Sequence, residues 1–78
     1  MDIAEYLRAS ELEREGKPSD AETLIRKLAN DGNPFALFDL AIRSRPDYPI
    51  TEGEWSPEKN MATAQAYADQ ALAALQNG

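Results

Sequence analysis

Between Phe35 and Ile42 every residue except Asp39 is apolar: Phe35, Ala36, Leu37, Phe38, Leu40, Ala41 and Ile42. Asn33-Pro34 stands immediately before them, a capping side chain followed by the residue best suited to the first helical position. At about 100° per residue these side chains cover nearly the whole circumference of a helix, and only Asp39 and Arg43, four apart, form a polar strip. A helix apolar on almost every side must be enclosed on several sides. In a chain of 78 residues there is room for one small domain. The rest of the sequence therefore has to wrap this segment, which predicts an all-α fold centred on it.

The flanking segments carry the punctuation for three more helices. Asp2 with Glu5 forms a capping-box pattern ahead of Ile3, Tyr6, Leu7, Ala9 and Leu12, and Gly16 supplies a left-handed stop. Ser19 with Glu22 repeats the capping box. Ala21, Leu24, Ile25, Leu28 and Ala29 then share one face, Glu22 and Arg26 are spaced for an i,i+4 ion pair on the other, and Gly32 ends the helix. Arg45-Pro46 stops the apolar helix. Ser56-Pro57 starts a last one, with Met61, Ala64, Tyr67, Ala68, Ala71, Leu72 and Leu75 on one face. The expected helices are residues 2–15, 19–31, 33–44 and 57–76, with a long loop at 45–56. Short connections make consecutive helices antiparallel. Strict alternation is missing, so no strand is expected.

Composition narrows the chemistry. The chain has no cysteine and no histidine, which removes disulfides, thiolate metal sites, the commonest general base and the commonest transition-metal ligand. No phosphate-binding glycine loop, paired-carboxylate motif or nucleophile–base constellation appears. Glu11, Glu13, Glu15 and Asp20 form an acidic cluster, but without the oxygen spacing of a calcium loop. The expectation is a protein that is not an enzyme and uses no metal or cofactor. A formal net charge of −6 disfavours direct nucleic-acid binding. The opening Met1-Asp2-Ile3-Ala4-Glu5 has no apolar run, and no later stretch approaches the roughly 20 apolar residues needed to cross a bilayer. A soluble, cytoplasmic protein is the expectation.

An internal repeat is present. Ala21, Leu24 and Leu28 match Ala64, Tyr67 and Ala71 at an offset of 43 residues, within the range typical of helical solenoids. The run Ala21, Leu24, Leu28-Ala29, Gly32, Ala36 and Leu40 resembles the Sel1-like repeat family, itself close to tetratricopeptide repeats, and a second repeat would begin at Ala64, Tyr67 and Ala71. The resemblance covers about residues 19 to 72, roughly one and a half repeats. Two departures stand out. Ala41 replaces a family glycine, and the inter-repeat loop is unusually rich in proline and acidic residues. The resemblance implies stacked helix pairs and an adaptor that presents a concave surface to a protein partner. The chain being shorter than a usual solenoid, its exposed end faces are expected to pair with another copy, as a homodimer, or with a partner.

Candidate contact residues fall in two places. Arg43, Arg45, Tyr48 and Trp55 lie in or beside the long loop, and Trp, Tyr and Arg are enriched in binding hot spots. Tyr48, Ile50 and Trp55 could equally fold back as a plug over the core, and a mixed arrangement would bury Trp55 and expose Tyr48. On the second helix Glu22, Arg26 and Asn30 would line the concave side if the repeat holds. The far side of the last helix, with Ala62, Ala66, Ala73 and Ala74, would admit another helix closely. Two functions compete on these features. One is a protein–protein interaction module using the helical groove and the aromatic–arginine loop. The other is a small acidic inhibitor, of the kind mobile elements encode, that blocks a basic nucleic-acid-binding surface.

Overall fold

Gly16 and Gly32 set the first two corners by the same device. Lys17 N–H donates to the Leu12 carbonyl at 2.9 Å and Gly16 N–H to Glu13 at 3.0 Å, and Asn33 to Leu28 and Gly32 to Ala29 repeat both bonds at 2.9 and 3.0 Å. This closure needs a left-handed residue just past each helix, and the glycines supply φ of +82° and +87°. A Cβ at either glycine would meet nothing within 4 Å, so the requirement lies in the backbone alone. A computed structural model describes residues 3–77. Its helices are α1 (Ile3–Arg14), α2 (Pro18–Asn30), α3 (Pro34–Arg43) and α4 (Met61–Asn77), and the described residues include no strand.

α3 packs against all three other helices, as its apolar circumference demands. α1 lies on α2 and touches α3 lightly, while the backbones of α2 and α4 stand apart. The result is a flat plate, 34 × 28 × 14 Å. Its core joins Ala9, Ala21, Ile25, Leu28, Ala29, Ala36, Leu37, Leu40, Ala71 and Trp55. Alanines at the crossings let the helix backbones approach closely, and the longer side chains fill the space between. The 43-residue offset is visible in burial. Ala21 and Ala64 are buried, Leu24 and Tyr67 are half-buried, and Leu28 and Ala71 are buried.

Four expectations need correction or qualification. The last helix begins at Met61, not Pro57. Asn60 is its cap, accepting from Thr63 N–H at 3.1 Å, whereas the Ser56 hydroxyl bonds the Pro57 carbonyl. The reason lies in α3: Asn60 N–H donates to the Ser44 carbonyl at 2.8 Å, and the Lys59 ammonium donates to the Arg43 carbonyl at 2.8 Å. Residues 57–60 stay non-helical because they satisfy the orphan carbonyls at the α3 C-terminus. Second, Ser19 caps nothing. α2 starts one residue earlier with Pro18 in its first turn and no side-chain cap, and the Ser19 carbonyl instead accepts from Thr23 Oγ1. Third, enclosure of α3 is incomplete, since Ile42 is 45% exposed and Phe35 and Phe38 are half-buried. Fourth, the apolar face of α4 splits: Ala64 and Ala71 are buried, while Met61, Leu72 and Leu75 are exposed.

Asn33 caps α3 as expected, its Oδ1 accepting from Phe35 N–H at 2.9 Å and Ala36 N–H at 3.2 Å. Asp2 lies outside the described residues. Among the described residues no helix is long and apolar enough to cross a membrane.

Candidate functional site

The loop after α3 is organised by Arg43. Its position on the most apolar helix leaves the guanidinium nearly out of solvent, so it must find several acceptors. Nη1 and Nη2 hold both carboxylate oxygens of Glu13 from α1 at 3.0 and 2.9 Å. Nε holds Asp39 Oδ1 at 2.7 Å, and Nη1 reaches the Trp55 carbonyl at 2.9 Å and Glu54 at 3.5 Å. The guanidinium carbon sits 4.4 Å from the centroid of the Trp55 ring. Trp55 N–H in turn donates to Glu13 Oε2 at 3.3 Å.

Burial works to lower the Arg43 pKa, but the bonds it donates to Glu13 and Asp39 outweigh it and hold the group above its ordinary value. Asp39 is pushed above its ordinary value by burial, an effect the bond from Arg43 offsets only in part. Tyr6 is raised by burial and then by the neighbouring Asp39 charge.

Arg43 and Trp55 are therefore turned inward. Trp55 is 5% exposed and closes the core end, while Tyr48 is 37% exposed. This is the mixed arrangement among those the sequence left open. Tyr48 lends its carbonyl to Lys59 Nζ at 3.0 Å, with the ammonium 5.6 Å from its ring centroid. Arg45 holds Asp47 through two bonds of 3.0 and 2.9 Å at the surface. That pairing lowers the Asp47 pKa, the hydrogen bond from Arg45 being the largest cause. Of the four loop candidates, Arg45 and Tyr48 face solvent and Arg43 and Trp55 brace the fold.

A concave surface opens on the other side, where α2 and α4 part. It is a groove of about 430 Å³ whose floor is Ala29, Leu37 and Leu40, with Tyr67 rising from α4. Its rim carries Arg26, Lys27 and Asn30 from α2 and Gln70 from α4. A smaller hollow of about 190 Å³ continues it past Arg26 and Tyr67 toward Pro57, Glu58 and Thr63. Arg26 and Asn30 line the groove. Glu22 does not line it, but holds Arg26 Nε at 2.9 Å and so orients the guanidinium. Sequence reasoning missed Lys27, Tyr67 and Gln70 as groove residues. The signal was present, because the 43-residue offset that carries Leu24 onto Tyr67 also carries Lys27 onto Gln70.

The rim is rich in hydrogen-bond donors and the floor is apolar. That combination suits a chain segment with an apolar anchor and carboxylate or carbonyl acceptors. Among the described residues Lys27 makes no ion pair, so its charge is available to an incoming group. The acidic cluster is partly compensated. Glu11 and Glu15 approach Arg8 at 3.4 and 4.0 Å, Glu15 also approaches Lys17 at 3.8 Å, and Glu13 is held by Arg43. On α4, Ala62, Ala66 and Ala73 are exposed, while Ala74 is half-buried and packs against the core. No group of three or more acidic residues among those described is placed to hold a metal ion. Compared with protein-family models, with curated proteins and with solved structures, the chain matches none.

Proposed function

We propose that the protein is a non-catalytic interaction module that binds an extended or helical segment of a protein partner in the groove between α2 and α4. One observation carries this reading. In a chain of net charge −6, the groove of about 430 Å³ between α2 and α4 has a rim bearing two cations, Arg26 and Lys27, and two amides, Asn30 and Gln70. The occupant that fits is an acidic segment laid across the half-exposed ring of Tyr67, with Leu37 and Leu40 buried beneath it. The repeat resemblance is consistent with the sequential packing of α1 on α2, α2 on α3 and α3 on α4. The aromatic–arginine loop serves this reading as a brace that fixes the α3–α4 geometry, with Arg45 and Tyr48 left at its surface.

The test is affinity capture with cross-linking mass spectrometry, followed by titration of the captured segment as a peptide. Lys27→Glu should weaken peptide binding at least tenfold, a loss of about 1.4 kcal/mol, and leave helicity unchanged. Arg45→Ala should leave binding unchanged. Binding that tolerates Lys27→Glu and fails with Arg45→Ala would move the contact to the loop. The inhibitor reading has its own signature, competition with nucleic acid and a steep loss of binding with salt, and the compensated acidic cluster gives it less to work with.

A further inference from the structure

The groove described above leaves one side of α4 unaccounted for. Met61, Gln65, Ala68, Leu72 and Leu75 follow a four–three–four–three spacing, the period that keeps one seam of a helix against another helix. Met61, Leu72 and Leu75 are 53, 51 and 44% exposed. Ile42 of α3 extends the same surface at 45% exposed, and between the two helices lies an apolar hollow of about 220 Å³ lined by Phe38, Ala41 and Ala68 among others. The seam lies beside the stripe that α4 buries on α3, on the side away from the α2–α4 groove. It is not the set of exposed alanines Ala62, Ala66 and Ala73, which carries no large apolar side chain.

We infer that this face is the interface of a symmetric dimer, in which α4 packs antiparallel on α4 of a second copy with the two-fold axis beside Ala68. Three observations select a second copy as the occupant. The seam is nearly self-complementary, for reversal about Ala68 places Met61 against Leu75 of the other copy and brings Gln65 within one residue of Leu72, with the small residue where the helices cross. Charge points the same way: each copy carries a net charge of −6, yet between Met61 and Asn77 the only charged side chain is Asp69, whose carboxylate accepts from Gln65 at 3.0 Å. Two copies therefore meet little charge repulsion along this helix.

The third observation concerns the helix end. α4 has no basic residue in its last turn, so its final carbonyls lack a cationic neighbour of their own. Arg45, bonded to Asp47, lines the hollow at the Met61 end, and antiparallel packing brings this pair beside the last turn of the other copy. Size is adequate too. A standard interface takes about 800 Å² per partner, roughly a sixth of the 4907 Å² surface of the chain, and a strip ~25 Å long and two helix diameters wide is of that order.

Sedimentation equilibrium of the full chain should give twice its mass of 8.6 kDa. Leu72→Glu should weaken self-association by about thirtyfold or more, as loss of a central anchor does, with the far-ultraviolet circular dichroism unchanged because Leu72 is half in solvent. The chain has no cysteine, so single cysteines report the geometry directly. Ala68→Cys should cross-link two copies on mild oxidation, whereas Ala66→Cys, on the opposite side of α4, should not. A monomer at every concentration overturns the proposal, leaving the face to a different protein or to solvent. A dimer that tolerates Leu72→Glu, or that cross-links through Ala66→Cys and not Ala68→Cys, overturns it as well. None of these outcomes bears on the groove between α2 and α4.

Discussion

Three carboxylates, Glu13, Asp39 and Glu54, gather around the single guanidinium of Arg43. The consequences are asymmetric. Removing the cation strands Glu13 and Asp39, whose side chains are only 16 and 12% exposed. Arg43→Met should therefore destabilise the fold by about 3–5 kcal/mol, a large share of the roughly 5–15 kcal/mol that holds a typical domain together. Chemical denaturation followed by circular dichroism measures it. Arg45→Ala, at a surface pair, should shift the same midpoint by no more than about 0.5 kcal/mol.

Removing one anion has the opposite sense. Asp39 holds its proton more tightly folded than unfolded, because burial, aided by the neighbouring Glu13 charge, outweighs the bonds from Arg43 and Tyr6. Its stabilising term is thus complete below the ordinary value of 3.8 and is lost as pH rises through the raised folded value. Asp39→Asn carries no such term, so its stability relative to the native chain should improve as pH climbs through that window. Urea titrations of both proteins at pH 3 and pH 7 decide it, and a difference that stays flat or runs the other way would sink the assignment. At this scale the sequence was half legible. Asp39 and Arg43 were visible as a pair, since a lone cation on an apolar helix must be buried with a partner. Glu13 was not, because it stands thirty residues from Arg43 and its neighbours Glu11 and Glu15 made it look like part of a solvated cluster.

Helix ends were more legible where the cap is local and less where a neighbour competes for it. Gly16, Gly32 and Asn33-Pro34 act through bonds within five residues, so their spacing alone located three helix ends. Ser56-Pro57 has the same local grammar as Asn33-Pro34, yet it starts no helix. The segment behind it is engaged by the carbonyls of Arg43 and Ser44, and that demand comes from a different element. The two caps can be told apart by mutation. Asn60→Ala should destabilise the protein by about 1 kcal/mol through loss of the α4 cap. Ser56→Ala should fall within about 0.5 kcal/mol of the native chain. Equal losses at both positions would return the helix start to Pro57. The hidden division of α4 has a similar cause. Helical periodicity put Ala64 and Ala71 together with Met61, Leu72 and Leu75 on one broad face, but α3 covers only part of that arc. How wide a strip one neighbour can cover depends on the neighbour, and the pattern of a single helix does not carry it.

For the molecule as a whole, the question is whether the long loop belongs to the folded unit or merely hangs from it. Sequence composition allowed either. The structure ties it down through contacts far apart in the chain: Glu13 of α1 bonds Trp55 N–H across 42 residues, Arg43 stacks on the indole, and Lys59 joins the loop to the end of α3. α1, α3 and the loop thus share one electrostatic knot, and Trp55 sits in the same apolar cluster as Ile25 and Leu40. A chain this small gains cooperativity from such links, because no sub-assembly buries enough surface to persist alone. The prediction is a single transition. Fluorescence of the one tryptophan reports the loop and circular dichroism at 222 nm reports the helices, and the two unfolding curves should superimpose in midpoint and slope. Trp55→Ala should move the helical midpoint by about 3–5 kcal/mol, although the residue lies outside every helix. If the fluorescence transition precedes the helical one, the loop opens independently, the α3–α4 corner loses its brace, and the groove beside it has no fixed shape to offer a partner.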